Sequence, residues 1–190
     1  MIFQILETFT LVSGLVYIFL QVRQNRWMWP VDVLCCFAAI VVFAHQSLWA
    51  SMGLNIYYLV MGIAGWFSWK RDAKKTGENG IRIRQMSAMA RIGSVLGFAA
   101  SFVLLYWALK VTADPSPFAD ALVGASGIVG TVLLVRSYLE NWYVWLFSDT
   151  LSLLLCFMQG LYFMAILYLV YTAMAVVGLL EWRRDGKYID

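Results

Sequence analysis

Apolar runs long enough to cross a bilayer follow one another along this chain. A transmembrane helix needs about 20 predominantly apolar residues. The sequence predicts seven such spans, at residues 3–20, 29–46, 49–69, 91–110, 119–138, 142–159 and 160–182. Of the 190 residues, 62% are hydrophobic and 13% are charged, whereas soluble domains are about half apolar and a quarter charged. We therefore expect an all-α integral membrane protein, and the composition excludes an ordinary soluble enzyme.

Basic residues are distributed unevenly over the predicted loops. With seven spans, the first, third and fifth loops and the C-terminal tail lie on one side of the membrane and hold every Lys and Arg except Lys110. Loops rich in Lys and Arg stay on the cytoplasmic side. This pattern predicts an outside N-terminus and a cytoplasmic C-terminus. The net charge of +3 comes from these loops, so the expected partner is the lipid bilayer and not nucleic acid.

The sequence also repeats itself in one ungapped register. Five pairs carry the match best: Ser13 with Ser126, Arg23 with Arg136, Trp29 with Trp142, Gly65 with Gly178, and Trp69 with Trp182. Chance matches among common apolar residues do not explain paired Trp, Gly and Arg. Each copy holds three spans, and the fourth span lies between the copies. We therefore predict a 3+1+3 parallel repeat, in which two similar bundles provide a transport pathway.

This repeat predicts how the chain is divided. The expected segments are a first three-helix bundle at 1–69, a basic cytoplasmic loop at 70–90, a linker helix with an outer loop at 91–118, a second three-helix bundle at 119–182 and a cytoplasmic tail at 183–190. The glycines at 65 and 178 are expected to permit close helix packing.

The sixth span carries the densest cluster of candidate site residues. Trp142, Trp145 and Asp149 are spaced i, i+3 and i+7, which predicts that they share one helix face. A carboxylate inside a span is costly and marks a functional site. Two indoles beside a carboxylate suit a flat organic cation. The repeat aligns Asp149 with Cys36, so the first repeat has no charge at this position. Asp149 is therefore not part of the structure that the two repeats share.

Four further residues are candidates for substrate contact on the basis of polarity or aromaticity alone. They are Gln159, Tyr162, Asn55 and Tyr58. Gln159 either contacts a polar substrate or satisfies backbone groups at a tight helical hairpin, and the tyrosines are more often packing residues. The sequence contains no phosphate loop, zinc pair or nucleophile elbow, so we expect no enzyme activity, catalytic residue, metal or cofactor.

The second repeat resembles the PnuC family of bacterial vitamin transporters. The resemblance lies in Glu140-Asn141-Trp142-x-x-Trp145-x-x-x-Asp149, in Gln159-Gly160-x-Tyr162 and Tyr168, and in Gly65-Trp66-x-x-Trp69 of the first repeat. It implies a SWEET-like 3+1+3 fold, often trimeric, in the bacterial inner membrane. It also implies facilitated diffusion of a vitamin that a cytoplasmic kinase then traps by phosphorylation. The family's substrate-site element maps onto Trp142, Trp145 and Asp149, where many members have Asn in place of the Asp.

A carboxylate at this position favours a vitamin with a cationic ring over neutral riboflavin. The expected substrate is nicotinamide riboside, and thiamine is the alternative within the family. An alternative of another class is a membrane receptor or scaffold that transports nothing and binds a partner through its loops. The shortness of the loop at 70–90 disfavours that alternative.

Overall fold

The computed structural model describes residues 2–45, 49–76, 83–112 and 116–185. Over these ranges the chain is helical, without a β-strand, and each predicted span corresponds to one helix. The helices are α1 (Ile2–Val22), α2 (Met28–His45), α3 (Trp49–Thr76), α4 (Ala88–Val111), α5 (Pro117–Val135), α6 (Asn141–Met158) and α7 (Tyr162–Asp185). The predicted all-α fold is confirmed. Within the described ranges, four stretches are long and apolar enough to cross a membrane: α2, α4, α5, and Tyr162–Arg184 of α7.

Two helices end or begin at residues that differ from the ends of the predicted apolar runs, because helix propensity and capping determine those positions. α3 continues to Thr76, through the first part of the predicted basic loop, because Lys, Arg and Ala are good helix formers. α4 begins at Ala88, where the Ser87 hydroxyl accepts a hydrogen bond from the Ala90 N–H at 3.2 Å.

The nearly fused sixth and seventh spans are separated by a glycine turn. Gly160 has φ +75°, a left-handed conformation that favours glycine. The Leu161 N–H bonds to the Cys156 carbonyl at 2.8 Å and the Gly160 N–H to the Phe157 carbonyl at 3.2 Å. This Schellman pattern ends α6 and confirms the predicted division between the two helices.

The helices fall into two compact units, Met1–Arg82 and Ile83–Asp190. In the first unit α2 packs against both α1 and α3. In the second unit α5 packs against α4 and α6, and α6 also packs against α7. We refer to α1–α3 as the first bundle and to α5–α7 as the second bundle; α4 packs within the same unit as the second bundle.

Each bundle contains the same tryptophan contact. In the first bundle the fully buried rings of Trp29 and Trp69 meet edge to face, with centroids 5.4 Å apart and an interplanar angle of 86°. In the second bundle Trp142 and Trp182 do the same at 5.4 Å and 90°. A Cβ built on Gly65 would lie 2.4 Å from the Trp29 ring, and one on Gly178 would lie 2.4 Å from the Trp142 ring. Both glycines therefore permit the close packing that the sequence predicts.

The turns that enter the middle helices also repeat. Gln24 and Ser137 have left-handed backbones, with φ of 55° and 58°. In the first turn the Asn25 N–H bonds to the Leu20 carbonyl at 2.9 Å, and in the second the Tyr138 N–H bonds to the Leu133 carbonyl at 2.9 Å. The two aligned turns therefore share the same backbone geometry.

One contact of the second turn involves the segment that precedes α4. The Arg84 N–H donates to the Ser137 carbonyl at 2.9 Å, and the Leu139 N–H donates to the Arg84 carbonyl at 3.0 Å. The Met86 N–H donates to Glu140 Oε1 at 3.0 Å. Ile83 is fully buried. These bonds tie the start of α4 to the amino end of α6.

Candidate functional site

A polar cluster lies inside the second bundle, centred on α6. Asp149, in the middle of this helix, is only 9% exposed, and Ser152 is 5% exposed. The Ser152 and Tyr168 hydroxyls form a hydrogen bond between α6 and α7. Asp149, Cys156 and Asp120 lie within electrostatic range of the Tyr168 hydroxyl. We call these five residues, from three helices, the second-bundle polar cluster.

The Asp149 carboxylate is the most unusual member of this cluster. In the described part of the chain, no side chain or backbone group donates a hydrogen bond to it, and no cation pairs with it. A buried carboxylate without a partner is costly, and more so in a membrane. Such a group is suited to binding a cation that enters from outside the protein.

Trp145 lies on the side of α6 that faces α5. A Cβ on Gly130 would lie 3.2 Å from Cε2 of this indole, so the ring rests directly on the glycine. Trp145 is half-buried, and its Nε1–H is buried with no hydrogen-bond partner among the described residues. The indole therefore offers both an aromatic surface and a free donor.

Trp142 points to the other neighbour of α6. Its ring packs on Gly178 and Trp182 of α7 and is fully buried. Because Trp29 makes the same contacts in the first bundle, the surroundings of Trp142 are those of a packing residue. The structure thus divides the predicted aromatic face, with Trp142 against α7 and Trp145 against α5.

Gln159 and Tyr162 lie at the turn between α6 and α7, and both are exposed. Gln159 is ten residues beyond Asp149, which is about 15 Å along a helix axis. Tyr162 is 62% exposed, and its ring contacts Phe157 with centroids 5.8 Å apart. The structure does not bring these two residues into the second-bundle polar cluster.

Asn55 and Tyr58 lie on α3 of the first bundle, and both are half-buried. The Asn55 side-chain amide donates to the Ser51 carbonyl of its own helix at 2.9 Å. The Tyr58 ring contacts Tyr57 with centroids 5.5 Å apart. In the repeat register these two positions match Tyr168 and Tyr171, whose rings meet at 6.2 Å in the second bundle.

Two cavities of the second unit lie elsewhere. One of about 520 Å³ lies between α4 and α5, and another of about 510 Å³ lies among α4, α5 and α6. None of the predicted site residues lines either cavity. Among the described residues no three His, Cys, Asp or Glu side chains are grouped as metal ligands.

Comparison with known proteins identifies the family. The family model described as "Nicotinamide mononucleotide transporter" matches residues 4–184, which is nearly the whole chain. The chain belongs to this transporter family. The predicted resemblance to PnuC is confirmed with it, because relatives of that name also match.

Two curated relatives of this transporter family illustrate its range. The riboflavin/roseoflavin transporter RibM of Streptomyces davaonensis is 28% identical over 186 residues, covering 93% of this chain and 85% of RibM. The nicotinamide riboside transporter PnuC of Escherichia coli is 26% identical over 172 residues, covering 77% of this chain and 72% of PnuC. The crystal structure of the vitamin B3 transporter PnuC matches with a TM-score of 0.75 at 16% identity, over 94% of this chain and 80% of that one. At this identity the structural match shows a shared fold.

One polar residue of this family member escaped the sequence analysis. Asp32 on α2 is half-buried in the first bundle, and its Oδ1 accepts a weak hydrogen bond from Cys36 Sγ at 3.8 Å. The signal was present in the repeat, because Asp32 and Cys36 align with Trp145 and Asp149. Each middle helix thus carries one interior carboxylate, displaced by one helical turn.

Proposed function

We propose that this chain takes up nicotinamide riboside across the bacterial inner membrane by facilitated diffusion, and that phosphorylation by a cytoplasmic kinase traps the vitamin inside. Family membership supports a transporter, and the similarity to PnuC, a nicotinamide riboside transporter, supports this vitamin. The observation that carries the proposal is the unpartnered, buried Asp149 carboxylate.

Nicotinamide riboside carries one positive pyridinium ring and a ribose with several hydroxyls. The carboxylate of Asp149 pairs with the ring, and the indole of Trp145 stacks on it. The hydroxyls of Ser152 and Tyr168 bond to each other in the structure, and we expect them to form hydrogen bonds with the ribose instead when the substrate binds. The second-bundle polar cluster and Trp145 together thus supply groups that bind the ring and groups that bind the ribose.

The protein acts as a transporter and not as an enzyme or a loop-binding scaffold. We place its N-terminus outside and its C-terminus in the cytoplasm, on the basis of the Lys and Arg distribution. Its two bundles act as the halves of a 3+1+3 parallel repeat, and its assembly is a homotrimer, as the family resemblance implies. Glycosylation or cysteine labelling of each terminus in intact cells tests the orientation.

Riboflavin is a second candidate substrate because the RibM relative aligns over 93% of this chain. Its isoalloxazine ring is neutral, however, so binding it leaves the Asp149 carboxylate without a counter-charge. Thiamine has a cationic thiazolium ring and satisfies the carboxylate as nicotinamide riboside does. The three vitamins therefore form a direct test of what Asp149 recognises.

The decisive experiment combines calorimetric titration of the purified protein with uptake into proteoliposomes. Wild-type protein is expected to bind nicotinamide riboside more tightly than riboflavin. Asp149→Asn keeps the side-chain shape and removes the charge, so the affinity for nicotinamide riboside should fall about 10- to 100-fold. Uptake should fall with it.

Thr150→Val is the matched control on α6. The Thr150 side chain is exposed, and its hydroxyl bonds to the Leu146 carbonyl of its own helix. Binding and uptake should remain at the wild-type level in this variant. Wild-type affinity for nicotinamide riboside in Asp149→Asn contradicts the site, and a wild-type preference for riboflavin contradicts the proposed substrate.

A further inference from the structure

We propose that Asp32 forms a second cation-recognition site, located in the first bundle, which holds the positively charged ring of the substrate. The proposal rests on the proposed function, because it assigns the same cationic substrate a second contact during its passage. It extends the chemistry from the second bundle to a residue of the first.

The repeat places Asp32 at a position of the same kind as the candidate site. Along α2, Trp29, Asp32 and Cys36 align with Trp142, Trp145 and Asp149 along α6. In each helix the first residue is the buried tryptophan that packs on the third helix of its bundle. Asp32 therefore occupies the position that corresponds to Trp145.

The Asp32 carboxylate occupies the space beside Gly62 of α3. A Cβ built on Gly62 of α3 would lie 2.9 Å from Oδ2 of Asp32. The repeat-equivalent residue of Gly62 is Ala175, which is buried in the second bundle. The absence of a side chain at Gly62 thus accommodates the carboxylate between α2 and α3.

Asp32 has only a weak internal partner. Its one hydrogen bond in the described residues comes from the Cys36 thiol at 3.8 Å, and a thiol is a poor donor. Among the residues that the structure describes, no cation contacts Asp32 or Cys36. A carboxylate held in a strongly apolar helix with so little compensation is expected to serve a ligand.

A neutral analogue isolates the charge contribution. Nicotinamide riboside and 1,4-dihydronicotinamide riboside have nearly the same shape, but only the former carries a charged ring. The experiment measures the ratio of the two affinities by calorimetry on the full chain. Asp32→Asn should lower this cation preference about tenfold or more, mainly by weakening binding of the charged vitamin.

Two variants separate recognition from packing. Gly62→Ala keeps the charge but displaces the carboxylate, because the new Cβ occupies the space beside Oδ2. It should also lower the cation preference. Cys36→Ala removes only the thiol donor, and the preference should stay at the wild-type value. If Cys36→Ala and Asp32→Asn have equal effects, Asp32 serves the thiol contact and the proposal is overturned.

The remaining outcomes distinguish this proposal from the proposed function. An unchanged preference in Asp32→Asn, together with a loss in Asp149→Asn, overturns the Asp32 site and supports the function. If the wild type binds thiamine and not nicotinamide riboside, the proposed substrate is wrong, and a loss of thiamine affinity in Asp32→Asn supports the Asp32 site. If the wild type binds neither cation, both proposals are overturned.

Discussion

The two bundles share the residues that pack their helices together and differ in the polar residues of their middle helices. Trp29, Gly65 and Trp69 reappear as Trp142, Gly178 and Trp182, with ring separations of 5.4 Å in both bundles. One turn further along the middle helix the match ends, where Asp32 and Cys36 stand in place of Trp145 and Asp149. Repeated residues of this chain therefore fix how helices pack, and the diverged residues are those suited to contact a substrate.

At these diverged positions the large side chain also lies on a different helix in each bundle. In the second bundle Gly130 makes room for the Trp145 indole. In the first bundle the aligned residues are Tyr17 and Asp32, so the large side chain lies on the first helix and the small one on the middle helix. The large residue of the aligned pair thus lies on the middle helix in the second bundle and on the first helix in the first bundle.

Because both bundles have the same contacts between tryptophan and glycine, equivalent glycine substitutions should reduce stability equally. Gly65→Ala and Gly178→Ala each place a methyl group 2.4 Å from a buried indole. A tryptophan in a packed core yields little, so each variant should lose about 1–3 kcal/mol of stability. Thermal unfolding in detergent, followed by intrinsic fluorescence, measures the loss.

Gly97→Ala on α4 is the control for this pair, because nothing lies within 4 Å of the new Cβ. Its unfolding temperature should equal or slightly exceed that of the wild type, since alanine favours the helix. If only one of the two substitutions lowers the unfolding temperature, the helix packing of the two bundles is not equivalent.

The diverged region predicts an effect on binding and not on stability. Gly130→Ala brings a Cβ to 3.2 Å from Trp145 Cε2, so the indole must shift by a few tenths of an ångström. If Trp145 stacks on the substrate, the affinity for nicotinamide riboside should fall about fivefold, which is roughly 1 kcal/mol. Titration of Gly130→Ala beside Gly93→Ala, a glycine with open space on α4, measures the difference. Equal affinities contradict a substrate role for Trp145.

Much of the fold was predictable because it depends on local chemistry and on repetition. Apolar length and charge asymmetry located all seven helices, including the break that Gly160 makes after α6. The extension of α3 to Thr76 was missed because hydropathy marks where apolar residues end, whereas Lys70 and Arg71 continue the helix in a polar environment.

The site was harder to predict because it depends on which neighbour a side chain faces. Positions i and i+3 of a helix lie about 60° apart, so a spacing of i and i+3 predicts a common face. That separation is nevertheless enough to place Trp142 against α7 and Trp145 against α5. Asp32 also lies inside a predicted span, at 29–46, so the cost of a carboxylate in a span marks it from the sequence just as it marks Asp149.

The smallest expected effect concerns the two left-handed turns, whose backbones match and whose surroundings differ. Ser137 and Gln24 have φ of 58° and 55°, where glycine avoids the penalty of a side chain. Ser137 is fully buried and its hydroxyl has no hydrogen-bond partner within the described part of the chain, whereas Gln24 is partly exposed. Ser137→Gly should therefore stabilise the protein by about 1 kcal/mol, and Gln24→Gly by about half of that. Thermal unfolding of both variants tests the order. A loss of stability in Ser137→Gly alone would show that the contact between this turn and Arg84 depends on the serine, so that the second turn has a role that the first one lacks.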